Sequence, residues 1–263
     1  SFRRSLRPFP QYLGFDLNGL YPAGRYQRDA GSVRVENRTA QGLSLSAYYE
    51  FAKQLDNYAG GLQDFLHPDK EWARTPGVPP HRFSMSYVYE LPFGPGKSVL
   101  AWNDWRRYLV EGWSVSGMTM VNSGEPLMIR PQFNNTGGLV KYLYANAVAG
   151  ADASAPDRGP ERWFNPQAFA HPENFSIGNL ARTHPSLLGP GSQNHDLSMT
   201  KRFSLAADRS VEFSAVAFNF VNHANWNDPD TVIGPESAPN VNAGRIIGSV
   251  GGRVIQVGVR YSF

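Results

Sequence analysis

Apolar and polar residues alternate with a period of two along several stretches of this chain, which is typical of a strand with two chemically different faces. At 42–55, Leu, Ala, Tyr and Phe side chains occupy one face, while Ser, Tyr and Glu occupy the other. The same alternation predicts strands at 82–91, 112–121, 194–205, 210–221 and at the carboxy-terminus, with weaker candidates at 12–20 and 30–39. Val88 and Lys201 interrupt the alternation, and the 210–221 stretch loses it towards its end. The pattern predicts about eight strands and an all-β fold.

Helical periodicity is weak by comparison. The best candidate is the short stretch DWRRYLVEGW, which begins at Asp104. No apolar run approaches the ~18 residues that a transmembrane helix needs, and the mean hydropathy is −0.40. These features exclude a helical membrane protein. They are compatible with a membrane β-barrel, because alternating strands average to a near-neutral hydropathy.

The connections between the predicted strands differ in length in a regular way. The connections at 40–41, 92–108 and 206–209 are shorter than their neighbours at 56–81, 131–193 and 222–252, which are rich in Asn, Pro and Gly. A soluble sandwich has no reason to sort its loops by length, whereas an outer-membrane barrel has short periplasmic turns and long external loops. The sequence therefore predicts an antiparallel transmembrane β-barrel segment, with external loops near 56–81, 131–192 and 222–252.

Aromatic residues near the predicted strand ends fit the same fold. Membrane barrels carry aromatic side chains in two girdles at the membrane interfaces. The candidates for these girdles are Tyr48, Tyr49, Trp105, Tyr108, Trp113 and Tyr261. The alternative is that these side chains belong to the core of a soluble sandwich.

Composition narrows the class of partners. The chain has 263 residues, of which 18% are charged and 13% are aromatic, and its net charge is only +3. This charge and the lack of a long basic run indicate no nucleic-acid partner. The chain has no cysteine, which excludes disulfides and thiolate metal sites. We expect no cofactor.

Two short motifs suggest catalysis or phosphate binding and fail on inspection. The stretch FGPGKS at 93–98 resembles a phosphate-binding loop, but Leu91 occupies the position of the first Gly and two prolines remove N–H donors. A tight turn is the favoured interpretation. The stretch GWSVSG at 112–117 has Ser116 where a nucleophile elbow requires Gly. We therefore place its serines on the polar face of a strand.

Metal binding and catalysis find little further support. The six histidines lack the spacing of a metal pair on a helix, and we expect solvated loop histidines. The stretch NHANWNDPDT at 222–231 offers oxygen ligands but lacks the Gly and terminal Glu of an EF-hand loop, so an external turn-rich loop is favoured. With no carboxylate pair or triad, we expect no enzyme. A ligand would bind in the loops at 131–192 and 222–252.

Six stretches in order resemble one family. They are RFSMSYVYELPFGPGK, EGWSVSGMTMVNSGEPLMI, RWFNPQAFA, LLGPGSQNHDLSMTKRFSL, VEFSAVAFNFVNHANW and RVIQVGVRYSF, and LRPFPQY at 6–12 also fits. This order resembles the carboxy-terminal barrel of TonB-dependent receptors of the Oar-like type. The resemblance covers nearly the whole chain. It implies that residues 1–263 form the carboxy-terminal part of an outer-membrane barrel domain.

The resemblance implies a bacterial outer-membrane transporter or receptor with a plugged barrel of about 22 strands. Its partners would be outer-membrane lipid, the barrel-assembly machinery, the remainder of the receptor, and the TonB system through a plug. The start of the chain, SFRRSLRPFP, has no initiator Met or apolar signal core, so we expect a processed chain or a piece of a longer one. Two alternatives stay open, namely a self-contained eight-stranded barrel with a structural or adhesive role and a soluble carbohydrate-binding sandwich.

The last strand carries the most specific residue prediction. Its apolar set is Ile255, Val257, Val259, Tyr261 and Phe263, and these residues would face lipid, whereas Gln256, Gly258, Arg260 and Ser262 would face the lumen. A terminal aromatic strand of this kind resembles the signal that the outer-membrane assembly machinery reads. The alternative is the plain edge strand of a soluble sheet.

Overall fold

A computed structural model describes residues 5, 11, 24–58, 61–64, 66–137, 140–205 and 208–263. Its strands are β1 (Tyr26–Arg38), β2 (Leu43–Asp56), β3 (Ala73–Arg74), β4 (His81–Glu90), β5 (Trp113–Asn122), β6 (Arg130–Pro131), β7 (Asn146–Ala147), β8 (Ser154–Gly159), β9 (Arg162–Phe164), β10 (Phe169–Ala170), β11 (Ser192–Ser204), β12 (Ser210–Phe218), β13 (Asn225–Trp226), β14 (Val232–Ile233), β15 (Ser249–Val250) and β16 (Val254–Ser262). The helical segments are α1 (Arg107–Val110) and two 3-10 turns, Pro68–Glu71 and Pro166–Ala168. None of the helices in the described part is long and apolar enough to cross a membrane.

The seven long strands form one antiparallel sheet in the order β1-β2-β4-β5-β11-β12-β16, and β3 adds a short pairing to β2. Each long strand pairs with the next long strand of the chain, so the sheet is a simple meander. The two-sheet sandwich is therefore wrong, since all long strands of the described residues belong to a single sheet. The all-β prediction is confirmed.

The predicted strands agree closely with those of the sheet. The stretches 42–55, 82–91, 112–121 and 194–205 correspond to β2, β4, β5 and β11. The weak candidate at 30–39 belongs to a longer strand, β1, which begins at Tyr26. The candidate at 12–20 lies outside the described residues, and the expected helix from Asp104 is only the single turn α1.

Strand β12 is shorter than the predicted stretch 210–221, and Asn219 explains why. Its φ of 48° is left-handed, which ends the extended backbone after Phe218. The buried Asn219 side chain accepts a hydrogen bond from the His223 N–H at 3.0 Å and donates to the His223 and Gly251 carbonyls. The Asn219 N–H donates to Asp196 Oδ1 at 2.9 Å, which fixes the turn to the neighbouring strand β11.

The connections emerge alternately at the two ends of the sheet. At one end the strands are joined by residues 39–42, 91–112 and 205–209, and at the other by residues 57–80, 123–191 and 219–253. The predicted alternation of short and long connections is present. We call the second set the loop body, because its three segments pack against one another.

Nearly all buried apolar side chains of the described residues lie in the loop body, and Ala52 of β2 is an exception. One cluster consists of Leu127, Ile129, Ala145, Ala153, Phe164, Ala168, Phe169, Leu187 and Ile233. Every member of this cluster belongs to segment 123–191 except Ile233, which segment 219–253 contributes. Short strands join these segments, because β6 and β14 pair in parallel. The sheet therefore exposes both faces, while the loops bury a core of their own.

Candidate functional site

The two faces of the sheet differ in chemistry along its whole width. One cross-strand row runs through Leu45, Tyr87, Gly117, Leu197, Ala217 and Ile255. We call the face that carries this row the apolar face. The adjacent row on the opposite, polar face runs through Ser46, Ser86, Met118 and Asp196. On the apolar face the Tyr87 ring covers Gly117, where an added Cβ would come within 2.6 Å of the Tyr87 hydroxyl.

The polar face carries a charged group beside the loop body. Arg28 forms an ion pair with Glu50 at 2.8 Å, and Tyr48 Oη donates to Glu50 at 2.9 Å. Arg82 lies directly opposite Glu50 in the register of β2 and β4. Tyr48 therefore belongs to the polar face, and its predicted place in an interfacial girdle is wrong. Successive residues of a strand point to opposite faces, so Tyr48 and Tyr49 cannot both lie in one girdle.

Aromatic residues gather at both ends of the apolar face. Beside the loop body, Tyr49 contacts His81, with 2.8 Å between Tyr49 Oη and His81 Nδ1. At the opposite end, the apolar face carries Trp113, Phe203, Phe213 and Tyr261. Trp105 and Tyr108 lie in connection 91–112 and are exposed. Of the predicted girdle residues, Trp113 and Tyr261 thus lie at strand ends on the apolar face. Tyr49 is also on the apolar face, but it lies near the middle of β2.

Lys201, which interrupts the apolar pattern of β11, has a specific environment. Its ammonium lies 4.7 Å from the Phe203 ring centre and 5.5 Å from the Trp113 ring centre, and Nζ donates to the Glu111 carbonyl. The charge is therefore held by a backbone acceptor and two ring faces at the end of the sheet. Trp113 lies directly opposite Lys201 in the register of β5 and β11. The sequence contains both residues but does not show that they are neighbours, because the register is not known from the sequence.

The last strand has the two faces that its sequence predicts. Val257 and Val259 pair with Ala215 and Phe213 on the apolar face, whereas Gln256, Gly258 and Arg260 lie on the polar face. All five members of the apolar set of β16 and the terminus are strongly exposed, with Phe263 at 92%. The Tyr261 and Phe263 rings are stacked, with centroids 6.0 Å apart. Recognition of this strand by an assembly machinery stays a prediction.

A buried ion pair ties the loop body to the end of β2. Arg182, which is fully buried, pairs with Asp56 Oδ1 at 2.7 Å and donates to the Asp56 carbonyl at 2.8 Å. Thr183 Oγ1 donates to the Arg74 carbonyl at 2.7 Å. Segment 123–191 is thereby fixed to the sheet and to segment 57–80.

Gln63 makes the second connection between the same two segments. Its side-chain amide donates to the Gly178 and Leu180 carbonyls at 2.9 and 3.1 Å, and its carbonyl accepts the Tyr144 N–H at 3.1 Å. Tyr144 in turn donates its hydroxyl to the Gly61 carbonyl at 3.0 Å. Burial raises the pKa of Tyr144 to about 12. These contacts make the two segments one body.

Glu71 is the most unusual titratable group of the loop body. Only 1% of its surface is exposed, and its Oε1 accepts the N–H groups of Gln63 and Asp64 at 3.2 and 3.3 Å. Its Oε2 and the Nε and Nη1 atoms of Arg182 are buried without a hydrogen-bond partner. Desolvation raises the pKa of the Glu71 carboxyl above its ordinary value. Glu71 could not be predicted to be buried, because the residues directly before it in the sequence are charged.

The rejected motifs have structural roles. In FGPGKS, a bridge joins Phe93 to Val99, and Gly94 and Gly96 have positive φ, as expected of a tight turn. In 222–231, Asp230 accepts hydrogen bonds from the Val232 N–H and the Asn240 amide at 2.9 and 3.0 Å. Across the described ranges, no group of three or more His, Asp or Glu side chains is arranged to hold a metal ion.

The expectation of solvated loop histidines holds for His67, which is exposed, whereas four of the six histidines are half-buried. His81 and His195 belong to strands β4 and β11, and His195 Nδ1 lies 3.0 Å from Thr119 Oγ1. His184 packs edge-on against Phe169, and burial lowers its pKa. His195 lies two residues before Leu197 in β11, so its side chain shares the apolar face of the strand and does not belong to a loop.

Comparisons with known proteins agree with this geometry. No curated protein matches the chain. The family model described as outer membrane beta barrel domain matches residues 1–256, nearly the whole chain. A meander of two-faced antiparallel strands, with short connections at one end and long ones at the other, is the architecture that such a domain requires. The chain thus belongs to the outer membrane beta barrel domain family, whose place is the bacterial outer membrane.

Proposed function

We propose that the chain forms part of the wall and the external loops of a TonB-dependent transport receptor. The observation that carries this proposal is the open sheet. Seven long strands leave β1 and β16 running in the same direction, and these two strands do not pair in the described part of the chain. Single-chain bacterial barrels consist of an even number of antiparallel strands, so at least one further strand must complete the wall.

The loop body supports a role in ligand capture. Long external loops carry function while the barrel positions them. Here segments 123–191 and 219–253 share one hydrophobic core, and two buried polar connections fix segment 123–191 to the end of β2 and to segment 57–80. Ligand capture by fixed loops avoids the entropic cost of ordering them on binding. The six ordered motifs that resemble Oar-like receptors are the reason for proposing transport rather than another role of an outer-membrane barrel.

The partners follow from this role. The apolar face contacts outer-membrane lipid, and β16 engages the barrel-assembly machinery. The rest of the receptor supplies the missing strands and the plug, and the plug contacts the TonB system. No reaction is assigned to the chain, and a nucleic-acid partner is not expected from its net charge of +3.

One observation favours a second candidate, a self-contained barrel with a structural or adhesive role. The seven described long strands and the strand predicted at 12–20 would together make eight. Eight antiparallel strands can close around an interior filled by side chains.

Mass spectrometry of outer membranes separates the two candidates. Membrane proteins of the source cells are separated by size, and each band is searched for peptides of this chain. We expect these peptides in a band much heavier than 29.2 kDa, together with plug peptides of the same polypeptide. A band of about the chain's own mass, without plug peptides, would contradict the transport proposal and favour the small barrel.

A further inference from the structure

A small pocket in the loop body carries two cations and no acidic lining residue. Its volume is about 170 Å³, and it is lined by Arg130, Pro131, Asn134, Lys141, Tyr142, Leu143 and Tyr144. We propose that this pocket binds the anionic end group, a phosphate or carboxylate, of a larger ligand. The inference rests on the proposed function, since it names the chemical class of the ligand that the external loops capture.

Among the described residues, no carboxylate neutralises the two cations of the pocket. Within the part of the chain that the structure describes, neither Arg130 nor Lys141 forms an ion pair with a carboxylate. The recorded side-chain contacts are weak ones, from Arg130 Nη2 to Met128 Sδ at 3.5 Å and from the Lys141 ammonium to the Tyr142 ring at 5.4 Å. Two like charges at one pocket attract an anion, and a guanidinium offers paired donors that match phosphate and carboxylate.

The floor of the pocket is rigid. Tyr144 is 2% exposed and is held by its hydrogen bonds to Gly61 and Gln63. The Tyr142 ring lies against Gly61, where an added Cβ would be only 2.1 Å from the ring. Arg130 is fixed through its backbone N–H, which donates to the Thr231 carbonyl at 3.1 Å. The cations are therefore presented on a preorganised base, which limits the entropic cost of binding.

The size of the pocket limits what it can hold. Pockets that enclose a whole drug-sized ligand measure roughly 300–1,000 Å³. A volume of about 170 Å³ suits a charged end group, with the rest of the ligand outside the pocket. The anion has two possible sources, namely a soluble ligand and the headgroup of a membrane lipid, and the experiment distinguishes them.

Binding is measured on the full chain in non-ionic detergent by calorimetry, with inorganic phosphate and citrate as probes. We expect both probes to bind at low salt, and Arg130→Gln or Lys141→Gln to weaken binding by about tenfold each, because each change removes one charged contact. The matched control is Arg158→Gln, which removes an exposed arginine stacked on Trp163 in the same loop body. This control variant should bind like the unmodified chain.

A second arm uses neutral phospholipid vesicles with and without anionic phospholipid. Binding that requires anionic vesicles, and that Arg130→Gln abolishes, assigns the site to a lipid headgroup. Binding of the soluble probes alone assigns it to a soluble ligand. The proposal is overturned if neither probe nor vesicle binds, or if a variant that carries both Arg130→Gln and Lys141→Gln binds as well as Arg158→Gln. These measurements do not depend on the mass of the parent polypeptide, so a failure of this inference can be told apart from a failure of the proposed function.

Discussion

Buried charge is concentrated at a few residues where the loop body meets the sheet. Arg182 and Glu71 are almost fully buried, and both retain polar atoms without a partner. Such groups cost free energy unless their surroundings compensate them. Asp56 compensates Arg182 with two contacts, from its carboxylate and its carbonyl. The loop body therefore depends on individual residues more than the sheet does.

Two arginines of the loop body provide a matched test of this dependence. Arg182→Leu should destabilise the loop body by about 3–5 kcal/mol, because it removes the buried guanidinium that pairs with the Asp56 carboxylate. Arg245→Leu should cost less than about 1 kcal/mol, because the Arg245–Glu161 pair, 2.5 Å apart, is exposed. Hydrogen exchange of the Gln63 and Tyr144 amides measures the local opening free energy. Equal protection of these amides from hydrogen exchange in the two variants would contradict the stabilising role of the buried Arg182–Asp56 pair.

Glu71 should make the stability of the loop body depend on pH. Because burial raises its folded pKa above the ordinary value of 4.5, the folded state binds the proton more tightly than the unfolded state. The contribution of Glu71 is therefore most favourable below pH 4.5 and is lost as the pH rises through the folded pKa. Glu71→Gln keeps an oxygen acceptor for Gln63 and Asp64 and removes the ionisation.

At neutral pH the Glu71→Gln variant should resist local opening better than the unmodified chain, and this difference should shrink as the pH falls towards 4.5. Hydrogen exchange of the Gln63 amide across this range provides the measurement. Glu173→Gln, an exposed change in the same loop body, is the control. A variant whose protection is lower at neutral pH would show that the ionised form is the stabilising one.

At the scale of elements, each long strand has an apolar face and a polar face. A charged residue on the apolar face, such as Lys201, lies near the end of its strand and not at the middle. Lys201 lies near the end of β11, where Glu111, Trp113 and Phe203 receive its charge. Leu197 lies nearer the middle of the same strand and on the same face. Because a charge on the lipid face costs more at the membrane midplane than at its interfaces, these positions should differ in tolerance.

Opposite substitutions in β11 test this depth dependence. Leu197→Lys should lower the stability of the folded barrel by about 2–4 kcal/mol, because it places an ammonium near the midplane. Lys201→Met should change stability by less than about 1 kcal/mol, because it replaces an interfacial charge by an apolar chain of similar length. Reversible denaturant unfolding in lipid vesicles measures both. A similar loss of stability in the two variants would contradict the assignment of Leu197 to the membrane midplane and of Lys201 to the interface.

The terminal strand β16 makes a separate prediction about assembly. Phe263→Ala, or deletion of Phe263, should lower the amount of barrel in the outer membrane without altering the loop body, because Phe263 is 92% exposed and follows the end of β16 that lies opposite that body. Quantitative immunoblots of outer-membrane fractions provide the measurement. Phe175→Ala, which removes an exposed Phe of the loop body, is the matched control. Unchanged membrane levels of the Phe263 variants would refute the assembly signal.

At the scale of the whole molecule, the sheet has two unsatisfied edges. In the described residues, β1 and β16 pair on one side only, and every residue of both strands is exposed except the half-buried Gly258. In a membrane each unpaired backbone group costs several kcal/mol, so an open edge is not a stable end state. The proposed function therefore expects further strands of the barrel wall at these two edges.

The behaviour of the chain in detergent follows from these edges. The 263-residue chain alone should associate through β1 and β16 rather than form a monomer whose gel mobility changes on heating. Analytical ultracentrifugation, with unheated gel electrophoresis, checks this expectation. A protease-resistant, heat-modifiable monomer would instead support the self-contained barrel.

The strands were predictable because their signal is local. Alternation along β2, β4, β5, β11 and β16 fixes which side chains share a face, and the connections between these strands fix the meander. The terminal set from Ile255 to Phe263 could be named for the same reason. The girdle assignment of Tyr48 failed although the alternation itself places Tyr48 on the polar face, and the end of β12 was missed because the left-handed φ of Asn219 ends the strand.

The sequence by itself determined the all-β class, the two faces of the strands and the separation of short from long connections, because these depend on neighbours one or two residues apart. Only the tertiary structure decided that the long connections form a body with its own core. Arg182 meets Asp56 across 126 residues, and Gln63 meets Gly178 across 115. Contacts over such separations leave no periodic pattern, because they depend on how whole segments pack rather than on any one segment's composition.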